Sequence, residues 1–317
     1  MTRAPTRDPR TTDRRCWRRT TGLLALLGWL VALPTAAATL SVINGAASYP
    51  EGPLWQDHQL YYVEYAASNI RVWDGRTSSV YWHQDGCGAN ALIPYNGHLL
   101  VACYDNNTLV ELAADRHVVR VLRTDVNGHP FQGPNDVTSD GHGGVYFSAS
   151  GVYDLKAPIS GAVLHLSAAD GAITVSADTI HYSNGLTLSP DGTQLWVAEM
   201  LAGRVLSFPV LPDGRLGPRT VWARLQDLVP PTPQADAYNG PDGMKIGPDG
   251  NVYITQNGSG RVLVVDTQKR LVRIIEVPTA YVTNVGFGEP GSGDIIVTGT
   301  FDQWQAPYLG AVYRWHP

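Results

Sequence analysis

The sequence predicts an all-β fold, a six-bladed β-propeller with four-stranded blades and an axial metal site, on three observations. After residue 40, apolar residues alternate in short runs punctuated by Gly, Pro, Asn and Asp, a strand pattern rather than a helical one. A unit of polar head, short apolar strand, Asp/Asn-Gly turn and Val/Tyr-rich strand recurs six times, its heads at Glu51, Asn90, Asn135, Asn184, Asp242 and Asn284. Their spacings of 39, 45, 49, 58 and 42 residues match one blade plus variable loops.

The elements follow in chain order. Residues 1–20 hold seven arginines, then come the apolar run Gly22 to Leu33 and the small residues Pro34 to Ala38. Basic, apolar and small segments in that order predict a secretory signal peptide over 1–38, with the paired arginines at 14–15 and 18–19 leaving the twin-arginine route open. The apolar run is short for a bilayer span, so no stable membrane insertion is expected after cleavage and the product is expected to be periplasmic or secreted. The remaining residues 39–317 suffice for one large domain. They are poor in Lys and Arg, which leaves them more acidic than the net charge of −5 for the whole chain and argues against a nucleic-acid partner. Two cysteines stay with the domain, Cys87 and Cys103; an oxidising compartment favours a bridge, with two separate buried thiols as the alternative.

Thr39 to Ile43 precede the first head and are placed as an outer strand of the last blade, which removes an exposed edge. The strongest internal match pairs Asn184-Gly-Leu-Thr-Leu-Ser-Pro-Asp-Gly192 with Asp242-Gly-Met-Lys-Ile-Gly-Pro-Asp-Gly250, each followed by Gly-Arg-Val-Leu. The long insertions, Gly151 to Ser160 and Pro230 to Asp236, are candidates for the substrate-facing rim. Tyr153, Asp154 and His181 are read as structural residues of the loops.

The first strand of a propeller blade lines the central channel, so residues at its head point toward one axis. All six heads carry a carboxylate or a side-chain carbonyl oxygen, an expensive choice for a dry channel unless the oxygens have partners. Such a ring suits Ca²⁺, with Mg²⁺ or Mn²⁺ as substitutes. Zn²⁺ is a poorer substitute, because the nine histidines show no ligand spacing. Of the four Pro-Asp-Gly triplets, those at Asp191, Asp213 and Asp249 read as hairpin or loop turns; Asp242 aligns with Asn184 at a blade head.

Glu51-Gly-Pro-Leu-Trp55, Gly133-Pro-Asn-Asp-Val137, Ser183-Asn-Gly-Leu186, Gly240-Pro-Asp-Gly-Met244 and Thr283-Asn284, in this order and spacing, resemble the SMP-30/gluconolactonase-like family of six-bladed propellers over nearly all of residues 47–317. The resemblance implies a divalent cation, usually calcium, held by Glu51, Asn135, Asn184 and Asp242. It also implies lactonase chemistry on sugar lactones or, as in related propellers, on other lactones, esters or organophosphates. Gly133 stands where animal members place a substrate-contacting arginine, so their substrate preference does not transfer.

The expected activity is therefore a metal-dependent lactonase or esterase acting on a small lactone or ester. The cation polarises the carbonyl and Asp242 is the general base toward water, with nucleophilic attack by Asp242 as the competing route. Asn90, Asn135 and Asn284 are candidate substrate contacts. No Gly-x-Ser-x-Gly elbow occurs, which disfavours a serine hydrolase. The rival readings are a non-catalytic propeller that keeps the ion for stability, and a propeller enzyme of strictosidine-synthase-like or phosphotriesterase chemistry.

Overall fold

The computed structural model describes residues 38–232 and 237–317. The expected signal peptide lies outside them except for its last residue, as does part of the Pro230 to Asp236 insertion. Strand β1 (Thr39–Ser48) is followed by six groups. Blade 1 comprises β2 (Pro50–Gln56), β3 (Gln59–Glu64), β4 (Asn69–Trp73) and β5 (Ser78–His83), and blade 2 comprises β6 (Ala89–Tyr95), β7 (His98–Cys103), β8 (Thr108–Leu112) and β9 (Val118–Leu122). Blade 3 holds β10 (Pro134–Ser139), β11 (Val145–Ala149), β12 (Gly161–Leu166) and β13 (Ile173–Ile180); blade 4 holds β14 (Ser183–Leu188), β15 (Gln194–Glu199), β16 (Arg204–Pro209) and β17 (Thr220–Arg224). Blade 5 is built from β18 (Pro241–Ile246), β19 (Val252–Gln256), β20 (Arg261–Val265) and β21 (Leu271–Glu276), and blade 6 from β22 (Tyr281–Phe287), β23 (Ile295–Thr300) and β24 (Leu309–His316), with β1 as its outer strand. Each blade is a four-stranded antiparallel meander.

β1 pairs antiparallel with β24 from Thr39↔His316 to Ser48↔Leu309, so the strand placed at Thr39 to Ile43 extends five residues further. It closes the ring between the two ends of the domain and covers the outer edge of β24. Among the described residues, no helix is long and apolar enough to cross a membrane.

The core lies between blades because successive strand residues face opposite sides of a sheet. On β3, Leu60 and Tyr62 pack toward Ile296 and Val312 of blade 6, whereas Tyr61 and Val63 pack toward Val101, Val110 and Leu112 of blade 2. Six such clusters fill the six seams. Runs such as Leu60-Tyr-Tyr-Val63 are thus continuously apolar because both faces are buried. The outermost strands β9 and β21 are largely exposed.

Buried hydroxyls stitch the inner ends of the seams. Ser150 Oγ donates to the Ser183 carbonyl at 2.7 Å, Thr255 Oγ1 to the Thr283 carbonyl at 3.0 Å, and Thr283 Oγ1 to the Pro50 carbonyl at 2.6 Å. Cys87 and Cys103 form a disulfide across Cα atoms 4.6 Å apart, which decides between the bridge and separate thiols. It ties the start of blade 2 to the end of β7, beside Tyr104 and Asp105.

Candidate active site

Every inner strand carries a register slip at or beside its head. In β10, β14 and β18 the pairs Asn135-Asp136, Asn184-Gly185 and Asp242-Gly243 each oppose one residue of the neighbouring strand. A bulge re-aims the side chain it carries, and here it turns the head residue toward the axis. Close approach of neighbouring heads explains the Gly in Asp242-Gly243: a Cβ at Gly243 would lie 2.2 Å from the Asn284 side chain.

Five heads, Glu51, Asn90, Asn135, Asn184 and Asp242, line one cavity of about 420 Å³. The sixth, Asn284, is absent from its lining and stands behind Glu51, donating Nδ2–H to Glu51 Oε2 at 3.0 Å, while its Oδ1 accepts the Val285 amide at 2.9 Å. Asn90 donates Nδ2–H to Asn135 Oδ1 at 2.8 Å. All six are 2–6% exposed, and only the tips of the five lining side chains reach the cavity.

Electrostatics single out the two carboxylates. Burial raises Asp242 to about 8, with repulsion from Asp136 adding to it and hydrogen bonds from Asn257, Asn184 and the Gly243 amide opposing it. Glu51 is pushed well above the ordinary carboxylate range by burial, then by Asp242 and Asp136, against hydrogen bonds from Asn284 and the Gly52 amide. Among the described residues, the cavity lining contains no Lys, Arg or His. Among the described residues no three His, Cys, Asp or Glu side chains cluster as a metal site, because the group that could hold an ion is two carboxylates and two amides. Its donors are all oxygen, the preference of Ca²⁺ and Mg²⁺.

A family model for the SMP-30/Gluconolactonase/LRE-like region matches residues 49–301. The chain belongs to this family. Regucalcin from Danio rerio is 26% identical over 267 residues, covering 82% of this chain and 85% of the relative. Lactonase drp35 from Staphylococcus aureus is 30% identical over 145 residues, covering 45% of this chain and 42% of the relative. A calcium-binding regucalcin from Agrobacterium tumefaciens shares the fold with a TM-score of 0.71, at 18% identity over 86% of this chain and 92% of that one.

Three features of this SMP-30/gluconolactonase-like cavity escape a reading of the heads alone. Asn257, fully buried just after β19, donates Nδ2–H to Asp242 Oδ2 at 3.1 Å and so orients that carboxylate. Asp136 accepts two hydrogen bonds from Lys245 Nζ, both at 2.9 Å. This ion pair joins blades 3 and 5 past blade 4, so it crosses the channel between non-neighbouring blades. Finally, Tyr153 lines the cavity, packed on Tyr182, Tyr238 and Trp304. Asp154 and His181 do not line it: Asp154 Oδ1 accepts the Lys156 amide at 2.8 Å and the His181 amide donates to Glu199 at 2.9 Å.

Proposed function

We propose that this chain is a divalent-cation-dependent lactone hydrolase, with Glu51, Asn135, Asn184 and Asp242 holding the ion and Asp242 acting as general base. The observation that carries this reading is the pair of buried carboxylates, Glu51 and Asp242, in a cavity whose lining, among the described residues, offers no cationic side chain. Two such carboxylates resist joint ionisation unless a positive charge joins them, and a divalent cation among four oxygen donors fits that demand. Ca²⁺ is the preferred ion, in keeping with the calcium-binding regucalcin that shares the fold. When bound, the ion supplies Lewis acidity toward the lactone carbonyl and lets both carboxylates ionise.

The protein's own groups do the rest. Asn257 fixes Oδ2 of Asp242 by its hydrogen bond. The ionised carboxylate takes a proton from water as the water oxygen bonds to the lactone carbonyl carbon. Collapse of the tetrahedral adduct breaks the ring C–O bond, and the proton held on Asp242 passes to the leaving oxygen, giving the hydroxy acid. An amide cannot hold that proton, which is why the role falls to Asp242 rather than to Asn184 at the equivalent position. Asn284 and Asn90 serve as positioning residues that donate to Glu51 and Asn135. The Cys87–Cys103 disulfide supports an exported, oxidising location.

A panel of lactones and aryl esters, assayed with and without EDTA, tests this reading. Turnover lost on chelation and restored by Ca²⁺, with the circular dichroism spectrum unchanged, is expected. A folded protein inert to every lactone and ester, or turnover indifferent to EDTA, contradicts it. Single turnover in ¹⁸O-water separates the two roles of Asp242: label in the carboxylate of Asp242 rather than directly in the product would replace the general base with a nucleophile.

A further inference from the structure

We propose that the mouth of this cavity selects lactones and esters bearing a flat, apolar or aryl ring over polyhydroxylated sugar lactones. The inference rests on the hydrolase reading for its chemistry but on separate residues for its specificity. Beside the oxygen cluster the wall is a collar made mostly of aromatic rings, with Asp105 and Gln303 among them. Tyr308 meets Tyr49 with centroids 6.3 Å apart, Tyr49 meets Tyr65 at 5.4 Å, and Tyr65 meets Tyr104 at 5.9 Å. The Tyr104 hydroxyl reaches the Tyr182 hydroxyl at 3.0 Å. Tyr182 packs on Tyr153 at 4.7 Å, and Tyr153 stacks on Trp304 at 5.9 Å with planes 23° apart. Trp304 and Tyr308 share the loop between β23 and β24.

The backbone shows that these rings are kept at a cost. Two residues before the head, the chain turns left-handed in four blades, at Tyr49 (φ 50°), Gly88 (φ 57°), Gly133 (φ 63°) and Tyr182 (φ 63°). Glycine adopts this conformation freely and a bulky side chain does not. Blades 2 and 3 use glycine, and in both a Cβ would crowd the wall: 2.6 Å from the Asp105 carboxylate and 3.0 Å from Tyr65 at Gly88, and 2.7 Å from Tyr104 at Gly133. Blades 1 and 4 place tyrosine at the strained position instead. Strain held beside a cavity is a mark of use, and what is held here is ring surface facing the substrate.

The chemistry of the wall points the same way. A polyol lactone needs several free donors and acceptors, yet Tyr65 donates its hydroxyl to Asp105 at 2.8 Å, Tyr153 donates to the Tyr238 carbonyl at 3.2 Å, and Tyr104 and Tyr182 engage each other. Among the described residues, the lining holds no Lys, Arg or His, the partners an anionic substrate would use. At the rim Val152, Phe301 and Trp304 are 47–51% exposed, an apolar approach to an aromatic slot. A cavity of about 420 Å³ admits a fused bicyclic lactone.

The test compares kcat/KM for dihydrocoumarin, δ-valerolactone and glucono-δ-lactone on the Ca²⁺-loaded full chain. We expect dihydrocoumarin to exceed glucono-δ-lactone by about 100-fold. Trp304→Ala and Tyr153→Ala should lower the dihydrocoumarin value by about 10-fold each through KM, with Trp304→Phe recovering most of it. The drop on δ-valerolactone should be several-fold smaller. A preference for glucono-δ-lactone, or equal losses on all three substrates in variants that melt like the parent, overturns the proposal. Binding of non-hydrolysable lactams separates it from the hydrolase reading. If no lactone is turned over yet 3,4-dihydro-2-quinolinone binds more tightly than gluconolactam, the hydrolase reading fails and the collar stands; if gluconolactam binds as tightly, the collar proposal fails whatever the chemistry.

Discussion

Five head residues, Glu51, Asn90, Asn135, Asn184 and Asp242, directly follow the residue paired with the end of the second strand, and Asn284 lies further along β22 opposite Thr298, whereas the rings around them come from three kinds of place: two residues before a head (Tyr49, Tyr182), just past a second strand (Tyr65, Tyr104), and in loops (Tyr153, Trp304, Tyr308). The heads are held by strand pairing, bulges and hydrogen bonds from Asn284, Asn90 and Asn257. Ring packing and a strained backbone hold the collar. The difference teaches that the repeat preserves the site of chemistry, while substrate choice is left to positions the repeat does not govern.

If that division is real, damage to the head ring should hit every substrate alike. Asp242→Asn copies the residue of the equivalent position in blade 4 and keeps an oxygen donor, but it removes the proton acceptor. A fall in kcat of about 10³-fold on every lactone is expected, within the range for loss of a general base, with a melting curve close to the parent's. Retention of more than a tenth of the activity would remove Asp242 from the base role.

Beneath the heads, Lys245→Met leaves Asp136 buried without its ion-pair partner. Breaking a buried pair from one side costs about 3 kcal/mol, and urea denaturation should show a loss of that order. Lys245→Met with Asp136→Asn should recover much of it, since the orphaned charge is then gone. A single variant as stable as the parent would make the pair incidental.

The collar is predicted to be less costly to disturb. Gly133→Ala places a Cβ 2.7 Å from the Tyr104 ring at φ 63° and should cost about 1–2 kcal/mol, read as a lower melting temperature. Ca²⁺ affinity should stay within a few-fold of the parent's, because no head residue moves. A large loss of Ca²⁺ binding in this variant would show that collar and ring are one unit.

What the sequence shows and hides follows the same division. Spacing and head chemistry placed all six inner strands, the closing strand β1 and the oxygen cluster, because a repeated unit writes its register into every copy. The Asp136–Lys245 pair joins residues 109 positions apart in different blades, and no local pattern marks such a partner. Asn257 acts on Asp242 from just past the second strand of its blade, a position where the other blades carry Tyr65, Tyr104, Ser150, Met200 and Phe301, so no repeat signal flags it. A partial signal for the collar did exist: aligned on the heads, Tyr49, Gly88, Gly133, Tyr182 and Gly240 share one position, and tyrosine alternating with glycine marks side chains held at a backbone turn. The separation of Asn284 from the cavity could not be read, since the slip in β22 falls before Asn284 and leaves it opposite Thr298, and no residue pattern marks where a bulge shifts the register.

The smallest expected effect is on stability against pH, and its sign follows from the buried carboxylates. Folded-state values for Glu51 and Asp242 lie above those of the unfolded chain, so between about pH 4 and about pH 8 the folded protein binds more protons. Stability of the protein in EDTA should therefore fall as pH rises through that window, and Ca²⁺ should raise the melting temperature more at pH 8 than at pH 5. Carboxylates such as Asp140, where His165 and backbone amides outweigh burial and hold it below its ordinary value, act below about pH 4 and leave the window clear. A melting temperature in EDTA that is flat or rising from pH 5 to 8 would mean that burial does not hold protons on the two carboxylates.

Calorimetric titration of Ca²⁺ into the EDTA-treated, dialysed chain, repeated with Glu51→Gln, tests the central claim most directly. One ion bound per chain, with affinity reduced at least about 100-fold in Glu51→Gln, is the predicted result. No binding to the parent, or equal binding to both proteins, would contradict the assignment of the head ring as the cation site.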